Sequence, residues 1–294
     1  MKELREHAKE LLEKGEVSAV IGYSQVSEKR TKPIIVTDPQ DTDQLVFNEY
    51  CLNNLAVYLT KARIKVSCRT KDKTLKLAVT AKPCDVHSVV ALIQENQIHR
   101  EDIHIISFNC HGVAKDFGFE FSGDNIASKC INCETHKPLY FDKIFGEEKE
   151  TPKASDDAME RIQEIERMSH QERFEFFKNE FDKCIKCYAC RAVCPLCYCQ
   201  RCITDKTIPR WIESSSHMRG NFAWNIVRAF HLSGRCTGCG ECERACPVDI
   251  PLSLLNRRMA IKAKKSFSYV SGRSLETPTL VGSFNEKDND ELFM

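Results

Sequence analysis

The chain has 294 residues, 42% hydrophobic and 29% charged, with 43 basic against 42 acidic residues and a formal net charge of +1. Such a length suits about two domains, with enough apolar material for a sizeable core. The near-neutral balance gives no reason to expect nucleic acid or an anionic membrane as a partner, and no apolar run approaches the ~20 residues of a membrane span.

In chain order, MKELREHAKELLEKGEV reads as a charged amphipathic helix, with Leu4, Ala8, Leu11 and Leu12 on one face and Gly15 as its C-cap. It lacks the apolar h-region of a signal peptide, so the expected protein is cytoplasmic and soluble. Ser18 to Tyr23 and Pro33 to Thr37 read as strands, and Asp43 to Leu59 as a helix. Leu75 to Thr80, Asp85 to Glu95 and Ile103 to Phe108 then read as strand, helix and strand, the βαβ pattern of a parallel sheet. Residues 1–148 are therefore expected to form an α/β domain with a mostly parallel sheet. No G-x-G-x-x-G follows a strand, which argues against a Rossmann nicotinamide site without excluding a flavin held in another way.

The strand order has a chemical consequence. Cys84 follows one proposed strand and Cys110 the next, so parallel neighbours would bring both thiols to one carboxyl edge of the sheet. Neighbouring strands lie about 4.8 Å apart. The pair Cys130 and Cys133 follows as C-x2-C. Together these four could ligate a third metal cluster; an iron–sulfur cluster is the favoured reading, with zinc or unliganded buried thiols as alternatives. His87, His99, His104 and His111 read as packed or solvated side chains rather than ligands, and only His111, beside Cys110, is a residue to watch.

Residues 149–182 read as a polar, proline-containing connector followed by helices, with Ser169 and Glu172 forming a capping box before a helix rich in phenylalanine. Residues 183–268 hold the strongest signal. Cys184, Cys187, Cys190 and Cys194 lie in CIKCYACRAVCP, and Cys236, Cys239, Cys242 and Cys246 in CTGCGECERACP. Both runs are C-x2-C-x2-C-x3-C-P, the spacing with which bacterial-type ferredoxins hold [4Fe–4S] cubes. The first three thiolates of a run curl around one cube and the fourth ligates the other. Cluster one accordingly takes Cys184, Cys187, Cys190 and Cys246; cluster two takes Cys236, Cys239, Cys242 and Cys194. Structural zinc sites pair C-x2-4-C units without a third cysteine so placed, and disulfides belong to short secreted chains.

Three surplus cysteines, Cys197, Cys199 and Cys202, follow in PLCYCQRC. They are candidate ligands of a further metal or of a neighbouring subunit, although buried thiols lining the cubes are the favoured reading. Met218 to Leu232 and Leu252 to Lys264 read as helices, and the polar 269–294 tail as a segment disordered alone or laid on a partner.

The Cys184 to Pro247 stretch resembles the two-cube ferredoxin module of anaerobic oxidoreductase subunits. The run AKPCDVHSVVALIQENQ…IHIISFNCHG…CINCE resembles the β-subunit family of deazaflavin-coenzyme-reducing hydrogenases and formate dehydrogenases. It is also similar to iron–sulfur subunits of anaerobic sulfite reductases and sulfhydrogenases, which accompany heterodisulfide-reductase-like complexes. The resemblance implies a cluster, and sometimes a flavin, in the N-terminal region, and it supports Cys84, Cys110, Cys130 and Cys133 as one ligand set. The expected fold is an α/β domain followed by a helical two-cluster ferredoxin-like domain. The expected function is single-electron relay, with two [4Fe–4S] clusters, a third cluster, and other subunits of a redox complex as partners. No catalytic residue is evident. A flavin is the less favoured cofactor; the rival function is a flavin-containing subunit that itself reduces or oxidises a deazaflavin or nicotinamide coenzyme.

Overall fold

The computed structural model describes residues 1–60, 76–131, 133, 135–147, 160–284 and 286. The connector expected over 149–158 and the acidic end of the tail lie outside the described residues. The chain divides into two compact units, Met1–Asp157 with Gly272–Thr277, and Ala158–Ser271 with Pro278–Met294.

The first unit is built on a mixed sheet. Strand β1 (Ala19–Ser27) pairs antiparallel with β2 (Arg30–Val36) and with the short β3 (Leu45–Val46). It pairs in parallel with β4 (Leu77–Ala81), which runs parallel to β5 (Ile103–Phe108), itself parallel to β6 (Lys143–Phe145). All five residues of β4 are buried, as expected of a parallel strand covered on both faces. Helix α1 (Lys2–Glu13) lays Leu4, Ala8 and Leu11 against Val20, Ala78, Ile106 and Phe108 on one face. Alternation along the strands leaves Ile21, Val79 and Ile105 for the other face. Helix α2 (Pro83–Gln94), packed on β4 and β5, buries Val86, Val89 and Val90 there.

One expected helix is absent. Within Asp43 to Leu59 the chain instead makes a 3-10 turn at Pro39–Gln44, the strand β3, and then irregular backbone, helical again only from Val57. The cause is local. Asp38 caps the 3-10 turn by accepting from the Gln40 amide at 2.9 Å. Asn48 accepts from the Tyr50 amide and Asn54 from the Ala56 amide, each at 3.0 Å. Short polar side chains that bond their own backbone in this way compete with the helix. The apolar periodicity survives because Leu45, Leu52, Leu55 and Leu59 are all buried in the core.

The segment Gly272–Thr277, expected from its polarity to lack a seat of its own, belongs to this first unit. The Gln94 side-chain amide donates to the carbonyls of Ser274 and Thr277 at 2.7 and 2.6 Å, and the Tyr140 hydroxyl accepts from the Leu275 amide at 3.2 Å. Gly272 has φ +72° and lies on the His87 carbonyl so closely that a Cβ would collide with it. His87 is 4% exposed, and its imidazole is held down at about 4, first by burial and then by Arg273. An unfolded histidine titrates near 6.5. Between those two values the unfolded chain binds more protons, so this contribution is complete above pH 6.5 and disappears as pH falls through 4. The gap between 6.5 and about 4 amounts to ~3 kcal/mol. Urea unfolding is expected to show an acid-side loss of about that size that His87→Gln removes; equal pH profiles for the two chains would contradict this role.

The second unit is helical. Helices α3 (Glu160–Arg167) and α4 (His170–Asp182) meet at a tight corner, where Arg173 donates to the carbonyls of Ile165 and Met168 at 3.1 and 2.9 Å. The capping box forms, with Ser169 and Glu172 exchanging bonds at 3.3 and 2.8 Å. The phenylalanine-rich face of α4 is used for packing. Phe177 and Phe181 are buried with Ile162, Ile165, Ile250, Leu252, Leu254 and Cys242. Two longer helices, α6 (Met218–His231) and α8 (Leu252–Phe267), frame the two cysteine motifs, each of which carries a single turn of helix: α5 (Ala189–Ala192) and α7 (Glu241–Arg244).

Candidate metal centres

The two ferredoxin-spaced motifs have the same backbone. Lys186 and Tyr188 are left-handed, both with φ 57°, and so are their counterparts Gly238 and Gly240, with φ 73° and 72°. Two left-handed residues in each run curl the chain, and the first three cysteines of the second run line one recess. Glycine adopts this shape freely, whereas an L side chain pays about 1–2 kcal/mol per residue. In the first motif, side-chain anchoring offsets that cost. The buried Lys186 ammonium donates to the carbonyls of Glu213 and Gly220 at 2.7 and 2.8 Å. The Tyr188 ring meets Trp224 edge-on at 5.1 Å and carries the Arg191 guanidinium at 4.9 Å. After each single-turn helix the chain reaches Cys194-Pro195 or Cys246-Pro247, and α5 packs against α7.

The fourth cysteine of each run lies with the other run. A recess is lined by Cys236, Cys239 and Cys242 together with Cys194. Cys190 has Arg228, Cys242, Cys184 and Cys246 as its neighbours. Burial is the first cause that drives two of these thiols upward, Cys190 to about 11 and Cys236 to about 12. Metal loading at neutral pH therefore displaces protons from sulfur. N–H groups are aimed at the sulfurs: the Ile250 amide donates to Cys246 Sγ at 3.5 Å and the Asn256 side chain to Cys242 Sγ at 3.7 Å. Bonds of this kind tune the potentials of iron–sulfur clusters.

The three surplus cysteines have separate surroundings. Cys197 is hydrogen-bonded to Cys194 and reached by Arg228. Cys202 faces Thr204 and Arg191, and Cys199 is exposed. Only Cys197 stands beside a proposed cube ligand.

In the first unit, Cys84, Cys110, Cys130 and Cys133 line one recess together with Lys82, Lys129 and His136. The parallel register pairs Ala81 with Ser107, so β4 and β5 end level and deliver Cys84 and Cys110 to the same edge. Cys84 enters on the first turn of α2, where the helix dipole favours an anion. Cys130 and Cys133 arrive on a turn closed by the Cys133 amide donating to the Cys130 carbonyl at 3.2 Å. The backbone amides of Gly112 and Thr135 donate to Cys110 Sγ and Cys133 Sγ, both at 3.4 Å. Burial is again the leading cause that holds Cys84 well above an ordinary thiol and Cys110 at about 11.

The donor sets fit a soft, multi-iron group. Among the described residues no three His, Cys, Asp or Glu side chains close around a single metal ion. Thiolate is the soft donor that iron–sulfur groups take.

Two further buried cations stand at these centres. Lys82 is 1% exposed and pairs at 2.6 Å with Asp85, itself 0% exposed. It also donates to the Tyr23 hydroxyl and to the carbonyls of Cys51 and Asn53 at 2.9, 2.9 and 2.7 Å. It thereby ties the irregular loop after β3 to the cysteine-bearing edge of the sheet. A lysine wedged between a strand and Pro83 was the available signal, since the residue before proline is held extended. Arg228 is the second cation. It falls on the buried stripe of α6 with Asn221, Trp224 and Asn225, a spacing legible in the sequence.

These centres define a class. Residues 180–250 match the 4Fe-4S dicluster domain family, and the chain is an iron–sulfur electron-transfer protein with an α/β unit ahead of that domain. More particularly, it is similar to the F420-dependent formate dehydrogenase subunit beta of Methanocaldococcus jannaschii, with 26% identity over 70% of this chain and 76% of that one. It is also 26% identical to the F420-dependent formate dehydrogenase 1 subunit beta of Methanococcus maripaludis, over 37% of this chain and 27% of the relative. Among the described residues no helix is long and apolar enough to cross a membrane.

Proposed function

We propose that the chain is the electron-transfer subunit of a multi-subunit oxidoreductase complex of the hydrogenase, formate dehydrogenase or heterodisulfide-reductase-like kind, carrying two [4Fe–4S] cubes and a third iron–sulfur cluster. The observation that carries the reading is the gathering of Cys194 with Cys236, Cys239 and Cys242, alongside Cys246 beside Cys190. It supports the crossed assignment: cluster one on Cys184, Cys187, Cys190 and Cys246, and cluster two on Cys236, Cys239, Cys242 and Cys194. The shared recess of Cys84, Cys110, Cys130 and Cys133 supports the third cluster. When bound, the clusters supply reversible one-electron chemistry. The protein's residues hold the thiolates, aim N–H groups at sulfur, and keep water from the metal. Partner subunits supply the substrate chemistry.

A second reading has one observation in its favour. A cavity of about 310 Å³ opens beside Cys110, between Phe47, Phe108, Asn109, His111 and Phe145. Phe47 and Phe108 stack with ring centroids 3.6 Å apart. Such a site suits a planar aromatic group, and a flavin there would make the chain an enzyme acting on a deazaflavin or nicotinamide coenzyme.

The test is electron transfer by the full chain, reconstituted without oxygen. Dithionite should bleach the cluster absorbance, and a one-electron acceptor such as ferricyanide should restore it. Reduced nicotinamide or deazaflavin, added alone, should leave the spectrum unchanged. Rapid bleaching by either coenzyme, with flavin bound, would overturn the relay in favour of the second reading.

A further inference from the structure

The cation in the second unit has an unusual set of neighbours. Arg228 is 4% exposed. Its Nη2 donates to the carbonyl of Cys190 at 3.2 Å, and its side chain is hydrogen-bonded to the sulfurs of Cys197 and Cys242. It lines the recess that holds Cys194, Cys236, Cys239 and Cys242. Its Nε is buried and has no hydrogen-bond partner. The wall around this buried cation is cysteine sulfur. Under the proposed crossed ligation, that sulfur belongs to both quartets: Cys190 to the first, and Cys194 and Cys242 to the second.

A buried unpaired charge is costly and persists only where a compensating charge is near. Each added electron makes a thiolate-ligated cube more negative, and a fixed cation in a low-dielectric setting favours that state. We propose that Arg228 is a cation shared by the two cubes of this unit, which raises the reduction potential of both and which neither cube has to itself. The inference rests on the two-cube reading. It goes further by giving the pair one common control residue, on a helix that lies outside both cysteine motifs.

The experiment compares the full-length wild type with Arg228→Gln and Arg228→Lys, all reconstituted without oxygen. Iron and sulfide are counted, and the potentials are read by EPR-monitored redox titration. Wild type lacking about eight irons in this unit would defeat the two-cube reading itself, before Arg228 is judged. With the iron present, the glutamine variant should show both potentials moved to more negative values, and the lysine variant, which keeps the charge, both close to wild type. A shift of one potential alone, or of neither, overturns the proposal. Should the glutamine variant bind less iron, the lysine variant decides. Full iron with wild-type potentials upholds the shared charge, whereas lost iron or displaced potentials there mean that the planar fork is what the site requires, and overturn it.

Discussion

Cys246→Ser is expected to remove the cube built on Cys184, Cys187 and Cys190, far away in sequence, while leaving the cube of its own motif in place. Crossed ligation dictates this outcome, because the fourth cysteine of a C-x2-C-x2-C-x3-C-P run serves the other cluster. Cys246 is among the neighbours of Cys190, and Cys194 shares a recess with the second run. The variant should lose about four irons, and one of the two cube signals should vanish from the EPR spectrum of the reduced protein. The identity of the lost cube follows from the doubly substituted chain: adding Cys184→Ser to Cys246→Ser should take no more iron, whereas adding Cys239→Ser should empty the unit. Further iron loss on adding Cys184→Ser would put Cys246 on the cube of its own run.

Cys84→Ser is expected to take about a third of the total iron, with both cubes of the second unit untouched. Cys84 is the cysteine on which the parallel sheet and α2 converge, and its sulfur is buried in the recess it shares with Cys110, Cys130 and Cys133. Removing one of four ligands in a buried site leaves an iron without a thiolate and three buried thiols without metal, so partial occupancy is not expected. Unchanged iron would return these cysteines to the role of packed thiols. The same recess makes Lys82 a useful comparison. Lys82→Met strips the partner from the buried Asp85, a change worth about 3–5 kcal/mol when one half of a buried ion pair is left alone. It should lower the thermal stability of the chain even before any metal is added; a melting curve matching that of wild type would show that Asp85 has another source of compensation.

How much of this was legible depended on whether the interaction is local. The cysteine runs are local, and their spacing alone suggests the ligand assignment proposed above. Cys84 and Cys110 were legible because β4 and β5 are short, strongly apolar and joined by one helix, which leaves few topologies. The helix expected over Asp43 to Leu59 failed for a physical reason: apolar spacing is shared by a helix and by a buried irregular loop. The choice was made by Asn48 and Asn54, whose side chains bond neighbouring amides. Lys82 and Arg228 went unread because a charged residue at a core position is meaningful only once its distant partners are known. For Lys82 these are carbonyls 29 to 31 residues away, and for Arg228 they are sulfurs from both motifs. Left-handed Lys186 and Tyr188 were hidden for a similar reason. Their glycine counterparts advertise the turn, whereas in the first motif anchoring by Glu213, Gly220 and Trp224 takes over that role.

The central claim is that the cysteines of this chain hold iron and sulfide as cubes and pass electrons through them. Iron, sulfide, zinc and flavin should be counted per chain after reconstitution without oxygen, with EPR of the reduced protein. The account predicts about twelve irons with matching sulfide, no zinc, no flavin, and the signals of reduced [4Fe–4S] clusters. About eight irons would confine the clusters to the second unit. Zinc in place of iron, or iron without acid-labile sulfide, would contradict the account.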